Sequence, residues 1–133
     1  MHEINLKTER RTQLLDITKE VEEALNGANG AAAALVYVPH TTAGVTINED
    51  IDPELANDLE QAMEKIVEDG WSWRHDDADG PNAPSHVRAS LMSPEVLVPL
   101  REGGGLALGR YQGIFFCEFD GPRDRKVYVT ALS

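Results

Sequence analysis

The stretch GAAAALVYVPHTTAGVTINEDIDP, residues 30–53, decides the architecture. Ala31–Val38 is an unbroken apolar run bounded by Gly30 and Pro39, the pattern of a central buried strand. A polar break follows at Pro39-His40-Thr41-Thr42, and Gly44–Asn48 resumes as a second β segment. Asp52-Pro53 then reads as a helix start, a capping carboxylate before a proline at the first helical position. Strands and a helix alternate over a short span, and the rest of the chain has to cover them.

Downstream, Leu55, Leu59, Ala62, Met63, Ile66 and Val67 form one apolar stripe of a helix that ends at Asp69-Gly70. Residues 71–81 are loop-like, and Asn82–Leu91 predicts a short helix with Pro84 in its first turn. Pro94–Leu100 reads as a strand, Glu102–Gly105 as a hairpin turn, and Leu106–Phe119 as a long strand or bulged pair, with Gly109 and Gly113 marking the bulges. A turn at Asp120-Gly121-Pro122-Arg123 leads into a last alternating strand, Lys126–Leu132. Upstream, residues 2–8 and Gln13–Ile17 read as strands. A short helix follows, capped by Asp16 or Thr18 and stopped at Asn26-Gly27, with Ile17, Val21, Ala24 and Leu25 on one face. The sum is one α+β domain over residues 1–133: a mostly antiparallel β-sheet sandwich layered with two or three helices.

Composition narrows the function. A chain of 133 residues with 41% hydrophobic and 26% charged residues is an ordinary globular domain, neither fibrous nor disordered. No apolar run reaches the ~18 residues of a membrane span, and the opening MHEINLKTERR has no apolar signal region. The single cysteine, Cys117, alternates into a hydrophobic strand and reads as core. These features predict a cytoplasmic protein. Twelve basic against 23 acidic residues leave a net charge of −11, which argues against binding a nucleic-acid backbone. The acidic, lysine-poor surface suits a high-salt cytoplasm, or equally an ordinary acidic protein. The charge is uneven: residues 41–80 hold 12 acids and 2 bases, residues 81–133 hold 5 acids and 6 bases. The C-terminal part can therefore present a local cationic site for a small anion.

Three histidines sit where the regular pattern breaks: His40 after the apolar strand, His75 in Trp73-Arg74-His75-Asp76-Asp77, and His86 on the short helix. Three imidazoles with an open fourth position form a catalytic zinc pattern, although these spacings match no local metal motif. Surface or hydrogen-bonded histidines are the plainer alternative. Arg123, in a Gly-Pro turn, suits bidentate phosphate binding, or a simple Asp–Arg pair. Thr41, Thr42 and Gly44 offer donors beside His40, an anion nest or plain turn chemistry. Gly103–Gly105 lacks the Lys-Ser/Thr and helix start of a phosphate loop and reads as the hairpin. Trp71 and Trp73 read as a packing pair rather than a platform for a ring.

Taken together, the segments resemble the YjbQ-like family of secondary thiamine-phosphate synthases. The resemblance runs through Pro39–Glu49, Asp52-Pro53, His75, Asn82-Ala83-Pro84-Ser85-His86, Gly109–Ile114 and Glu118–Arg123, in the family's order over nearly the whole chain. One segment departs: Gly109-Arg110-Tyr111-Gln112 stands where the family usually has Gly-Thr-Trp-Gln. The resemblance implies a homotrimer and a site that joins hydroxymethylpyrimidine diphosphate to thiazole phosphate with release of diphosphate. It implies a divalent metal at His40, His75 and His86, zinc or a similar ion, with magnesium possible alongside diphosphate. His40, Arg123 and Glu118 would be catalytic, and Thr41, Thr42, Asn48 and Gln112 would contact the substrate. The alternatives are a metal-dependent hydrolase of a phosphorylated small molecule and a non-catalytic module that binds such a metabolite. The partner expected is a phosphorylated small molecule, with no nucleic acid and no membrane.

Overall fold

The computed structural model describes residues 1–75 and 80–133; within the segment read as loop-like, residues 76–79, including Asp76 and Asp77, lie outside the described residues. In chain order the elements are β1 (His2–Lys7), β2 (Gln13–Asp16), α1 (Thr18–Ala24), β3 (Ala33–Tyr37), β4 (Ala43–Glu49), α2 (Pro53–Ile66), α3 (Ala83–Met92), β5 (Glu95–Pro99), β6 (Gln112–Glu118) and β7 (Asp124–Leu132). Among the described residues the strands form two antiparallel sheets, ordered β1-β7-β3-β5 and β2-β6-β4.

Period-two alternation sorts the side chains into two cores. Val36, Val98, Val127 and Val129 of the larger sheet meet Val45, Ile114 and Phe116 of the smaller one, with Ile17 and Val21 closing one end. The opposite face of the smaller sheet carries Phe115 and Cys117, which pack with Phe119 against Met63 of α2 and Ala89 of α3. Cys117 is therefore core, and burial pushes its thiol well above the usual range. The layers run sheet, sheet, helices.

Several expectations need correction. β3 is not buried on both faces: Ala34 and Val36 are fully buried, whereas Tyr37 is 40% exposed. Its neighbours are antiparallel, and on its other face Leu35 is only half-buried and Tyr37 is exposed. On α2, Ile66 faces out and Glu60 is buried, because Glu60 accepts from Arg10 (2.6 Å) and from the Leu14 amide (2.9 Å) of β2. The strand placed at Leu106–Phe119 begins only at Gln112; Leu106 makes a single bridge to Leu100. A turn closed by Gln112 N–H to Gly109 O (3.1 Å) separates the two. The β4–β6 ladder then runs without a bulge from Asn48↔Gly113 to Ala43↔Glu118. The glycine hairpin is as expected, with Gly103, Gly104 and Gly105 at φ of 88°, 98° and 97°.

Candidate functional site

The site arises where β3 stops and β7 does not. Tyr37 lies opposite Tyr128 in the register, and Pro39, which cannot donate to a ladder, then turns the chain away. The Lys126 amide that β3 leaves behind donates instead to His40 Nε2, at 2.9 Å. An Nε2 that accepts assigns the imidazole proton to Nδ1. Burial, and next the charge of Arg125, hold the His40 pKa below its usual 6.5, so the ring favours its neutral form.

Beside His40, alternation turns Arg125 of β7 and Glu118 of β6 inward, where they plug the end of the inter-sheet core. Glu118 is 0% and Arg125 6% exposed. The Arg125 Nε and Nη2 donate to the two oxygens of Glu118, and Nη2 also reaches Thr42 Oγ1 at 2.8 Å. Thr8 Oγ1 donates to Oε1 at 2.7 Å, and the amides of Phe119 and Asp120 donate to Oε2, each at 3.1 Å. Every oxygen of this carboxylate is thus occupied by protein. Glu118 is a positioning group for Arg125 rather than the catalytic residue expected, because a side chain without exposed surface cannot touch substrate.

The following turn exposes a second pair. Arg123 donates from Nη2 to Asp120 Oδ2 and from Nε to Asp120 O, both at 2.8 Å, which leaves Nη1 without a partner among the described residues. The turn presses so closely on the segment between β1 and β2 that a Cβ at Gly121 would collide with Arg10 O. Only glycine fits there. Asp120 Oδ2 also accepts from Asn82 Nδ2 at 3.1 Å, which ties the turn to the start of α3.

These groups surround a cavity of about 620 Å³, lined by His40, Thr41, Thr42, Asn82, His86, Arg123 and Arg125, among others. Thr41 is exposed on its rim, and the hydroxyl of buried Thr42 already accepts from Arg125. His75 and His86 meet edge to face with ring centroids 5.0 Å apart. Among the described residues no three His, Cys, Asp or Glu side chains converge as metal ligands. A three-histidine shell also fits poorly at His40, where one ring nitrogen takes the Lys126 amide and the other carries the proton. His75 and His86 are the imidazoles that could share an ion.

Asn48 and Gln112 lie elsewhere. Both are exposed, and they sit at the far end of the β4–β6 ladder, where Oδ1 of Asn48 accepts from the Glu49 amide and Oε1 of Gln112 from the Gly109 amide, each at 2.8 Å. Six strand positions at ~3.4 Å each put Gln112 roughly 20 Å from Glu118, and Asn48, opposite Gly113, lies one position nearer. Within one chain they do not reach the cavity that Thr41 and Thr42 line. Trp71 and Trp73 stack on each other, with centroids 5.3 Å apart.

Residues 2–133 match the family model described as UPF0047 protein YjbQ-like. The chain belongs to the YjbQ-like family. A UPF0047 protein of Archaeoglobus fulgidus is 45% identical over 130 residues, covering 98% of this chain and 99% of that one. The UPF0047 protein YugU of Bacillus subtilis is 41% identical, covering 97% and 96%. The crystal structure of a YjbQ/UPF0047 protein of Clostridium acetobutylicum superposes with a TM-score of 0.92 at 40% identity, over 99% of this chain and all of that one.

Two residues of this YjbQ-like site escape sequence reasoning. Arg125 was hidden in the charged run Asp124-Arg125-Lys126, yet it continues the inward phase of Val127 and Val129. An arginine on that phase signals a buried charge needing a partner. Asn82 stands in the matching segment Asn82–His86, but nothing in that segment marks it out as a site residue. Its side chain is buried, fixed by Asp120, and its Oδ1 has no partner among the described residues.

Proposed function

We propose that this cavity binds a phosphorylated small molecule and supports a thiamine-phosphate-synthase-type condensation. The observation that carries the reading is the set of donors on its wall. Arg123 Nη1 and His40 Nδ1–H have no partner among the described residues, and Arg125 stands beside them, in a chain of net charge −11. Local donors, not overall charge, would hold an anion here.

In the reaction, the lone pair of the thiazole nitrogen forms a bond to the methylene carbon of the pyrimidine. The carbon–oxygen bond to diphosphate breaks, and its electron pair leaves with the diphosphate. No protein nucleophile is required. Arg123, Arg125 and His40 Nδ1–H would meet the charge that gathers on the departing oxygens, the usual work of preorganised donors. Glu118 and Thr42 keep Arg125 aimed. A divalent ion, held by His75 and His86, would supply further neutralisation of the diphosphate.

Assembly belongs to the same proposal. The outer face of the larger sheet carries Leu35, half-buried, beside Tyr37, Leu97 (60% exposed), Tyr128 and Leu132 in register. An apolar sheet face of this kind suits contact between copies, and we propose that it carries the homotrimer. Tyr37 belongs both to this face and to the cavity wall, which would set the site at a subunit boundary. Light scattering should return about three times 14.6 kDa for the native chain and a smaller species for Leu97→Asp; a native monomer refutes the trimer.

The activity test is direct. Protein mixed with hydroxymethylpyrimidine diphosphate and thiazole phosphate should yield thiamine phosphate and diphosphate in equal amounts. Metal-dependent release of phosphate from esters, without condensation, would instead establish a hydrolase. Phosphate-ligand binding without turnover of either kind would establish a binding module.

A further inference from the structure

Asn82 opens α3 on the wall of the 620 Å³ cavity and is 8% exposed. Its Nδ2 donates to Asp120 Oδ2 at 3.1 Å. That oxygen also accepts from Arg123 Nη2 at 2.8 Å, so the amide has to turn its nitrogen toward it, and the network fixes which end is the oxygen. Oδ1 is left without a partner among the described residues. We propose that Asn82 Oδ1 accepts from a phosphoryl hydroxyl, so that the cavity selects an oxyanion that still carries a proton over one that carries none; the proposal rests on the reading of this cavity as an anion site.

The ordinary work of an asparagine in this place is closed to it. An N-cap oxygen accepts from the second or third amide of its helix. Here the second helical residue is Pro84, which has no N–H, and the Ser85 amide donates to the Asn82 carbonyl at 3.0 Å. No side-chain cap bond forms. A buried acceptor without a partner costs stability, and one kept at the edge of a cavity gains its partner when the cavity fills. His86, one turn along α3, also has an Nε2 without a partner among the described residues. An imidazole nitrogen gives or accepts according to its proton and so imposes no choice on a ligand, whereas an amide oxygen can only accept.

The neighbours decide which donor Asn82 meets. Asn82 and Arg123 share one carboxylate oxygen, which sets the amide beside the guanidinium whose Nη1 is open. His40 and Arg125 stand on the same wall. An anion held there finds donors for its bare oxygens and one acceptor for an oxygen that bears hydrogen. Asp120 is part of this wall too, its side chain 18% exposed, and its charge repels a bare oxyanion oxygen more than a hydroxyl. Asn82 and Asp120 also border a hollow of about 390 Å³, but the arginine there, Arg11, is tied to both oxygens of Asp69, at 2.7 and 2.8 Å. Inorganic phosphate keeps a P–OH at neutral pH, and a phosphate monoester keeps one up to a pH of about 6. Sulfate has none to offer.

The test is calorimetric titration of the full chain with inorganic phosphate and with sulfate, at neutral pH and equal ionic strength. The native protein should bind phosphate about tenfold to a hundredfold more tightly than sulfate. This comparison needs no variant. Asn82→Leu, of similar volume and without the acceptor, should bring the two affinities to within about threefold of each other. The variant also gives up the tie to Asp120, so both affinities can fall; the ratio is the readout, and a merely structural Asn82 would leave it unchanged. Arg123→Ala should weaken both anions by a similar factor. Equal binding of the two anions by the native protein, an unchanged ratio in Asn82→Leu, or a loss confined to phosphate in Arg123→Ala overturns the acceptor and leaves the anion site standing. Binding of neither anion removes the anion site and the acceptor with it.

Discussion

Two carboxylate–guanidinium pairs lie within eight residues of one another and do opposite things. Glu118–Arg125 is sealed between the sheets, its two side chains 0% and 6% exposed; Asp120–Arg123 sits on the turn outside, at 18% and 39%. The inner carboxylate is saturated with donors from three segments of chain. The outer pair is joined through one side of the guanidinium and leaves the other side open. The same chemistry is a scaffold when strand alternation turns it inward and a ligand group when a turn holds it at the surface. The inner pair holds the Arg125 guanidinium in one orientation beside the wall of the cavity.

That contrast can be broken first at Glu118. Glu118→Ala leaves Arg125 as an unpaired buried charge, and the loss should be about 3–5 kcal/mol in urea unfolding. A loss below about 1 kcal/mol would mean that water already solvates the pair and that the two pairs differ less than their burial indicates.

Arg123→Ala tests the other half. Stability should stay within about 0.5 kcal/mol, as for an exposed pair. Diphosphate binding should weaken by about tenfold to a hundredfold, the ~1.5–3 kcal/mol of a charge-assisted contact. Arg123→Lys should recover part of that, since an ammonium has no bidentate fork. Unchanged affinity in a folded Arg123→Ala protein would reduce the outer pair to a surface ion pair.

The smallest effect sharpens the boundary between the pairs, where His40 sits. Its pKa in the folded chain lies below the usual 6.5. As pH falls from 6.5 toward that lower value, the unfolded chain binds more protons than the folded one, so stability declines over this window. His40→Gln can still accept the Lys126 amide and has no proton to take up. The pH slope of its melting temperature between 7 and 5 should be shallower than that of the native protein. An identical slope would show that His40 titrates as freely as a surface histidine.

Much of this was legible in the residues. The helix start at Asp52-Pro53 appears with the Asp52 carboxylate accepting from the Glu54 amide at 3.0 Å. The alternation of the last strand is real and begins two residues earlier, at Asp124. His40, Thr41, Thr42, His86 and Arg123 line one cavity because each lies at a break next to an element end, and breaks are where polar side chains can gather without disturbing a core. Asn48 and Gln112 stand apart from that cavity within one chain for a physical reason. Motif residues adjacent in sequence to a site need not share its end of a strand, and the seven residues of β6 run from the exposed end of the ladder to the buried one. The reading of a long strand from Leu106 failed because an apolar, glycine-containing segment satisfies strand statistics whether or not a partner strand lies beside it.

The sequence by itself determined most of the elements, the single α+β domain and the family, since these rest on local periodicity, on capping and turn chemistry, and on an ordered set of motifs. Only the tertiary structure decided which arginine is sealed between the sheets and which stands at the surface, which nitrogen of His40 holds its proton, and which face of the larger sheet turns away from the core. Those outcomes depend on the phase of β6 and β7 relative to each other and on the point where β3 abandons its ladder. Both are settled by pairing between segments up to a hundred residues or so apart, which no local pattern encodes.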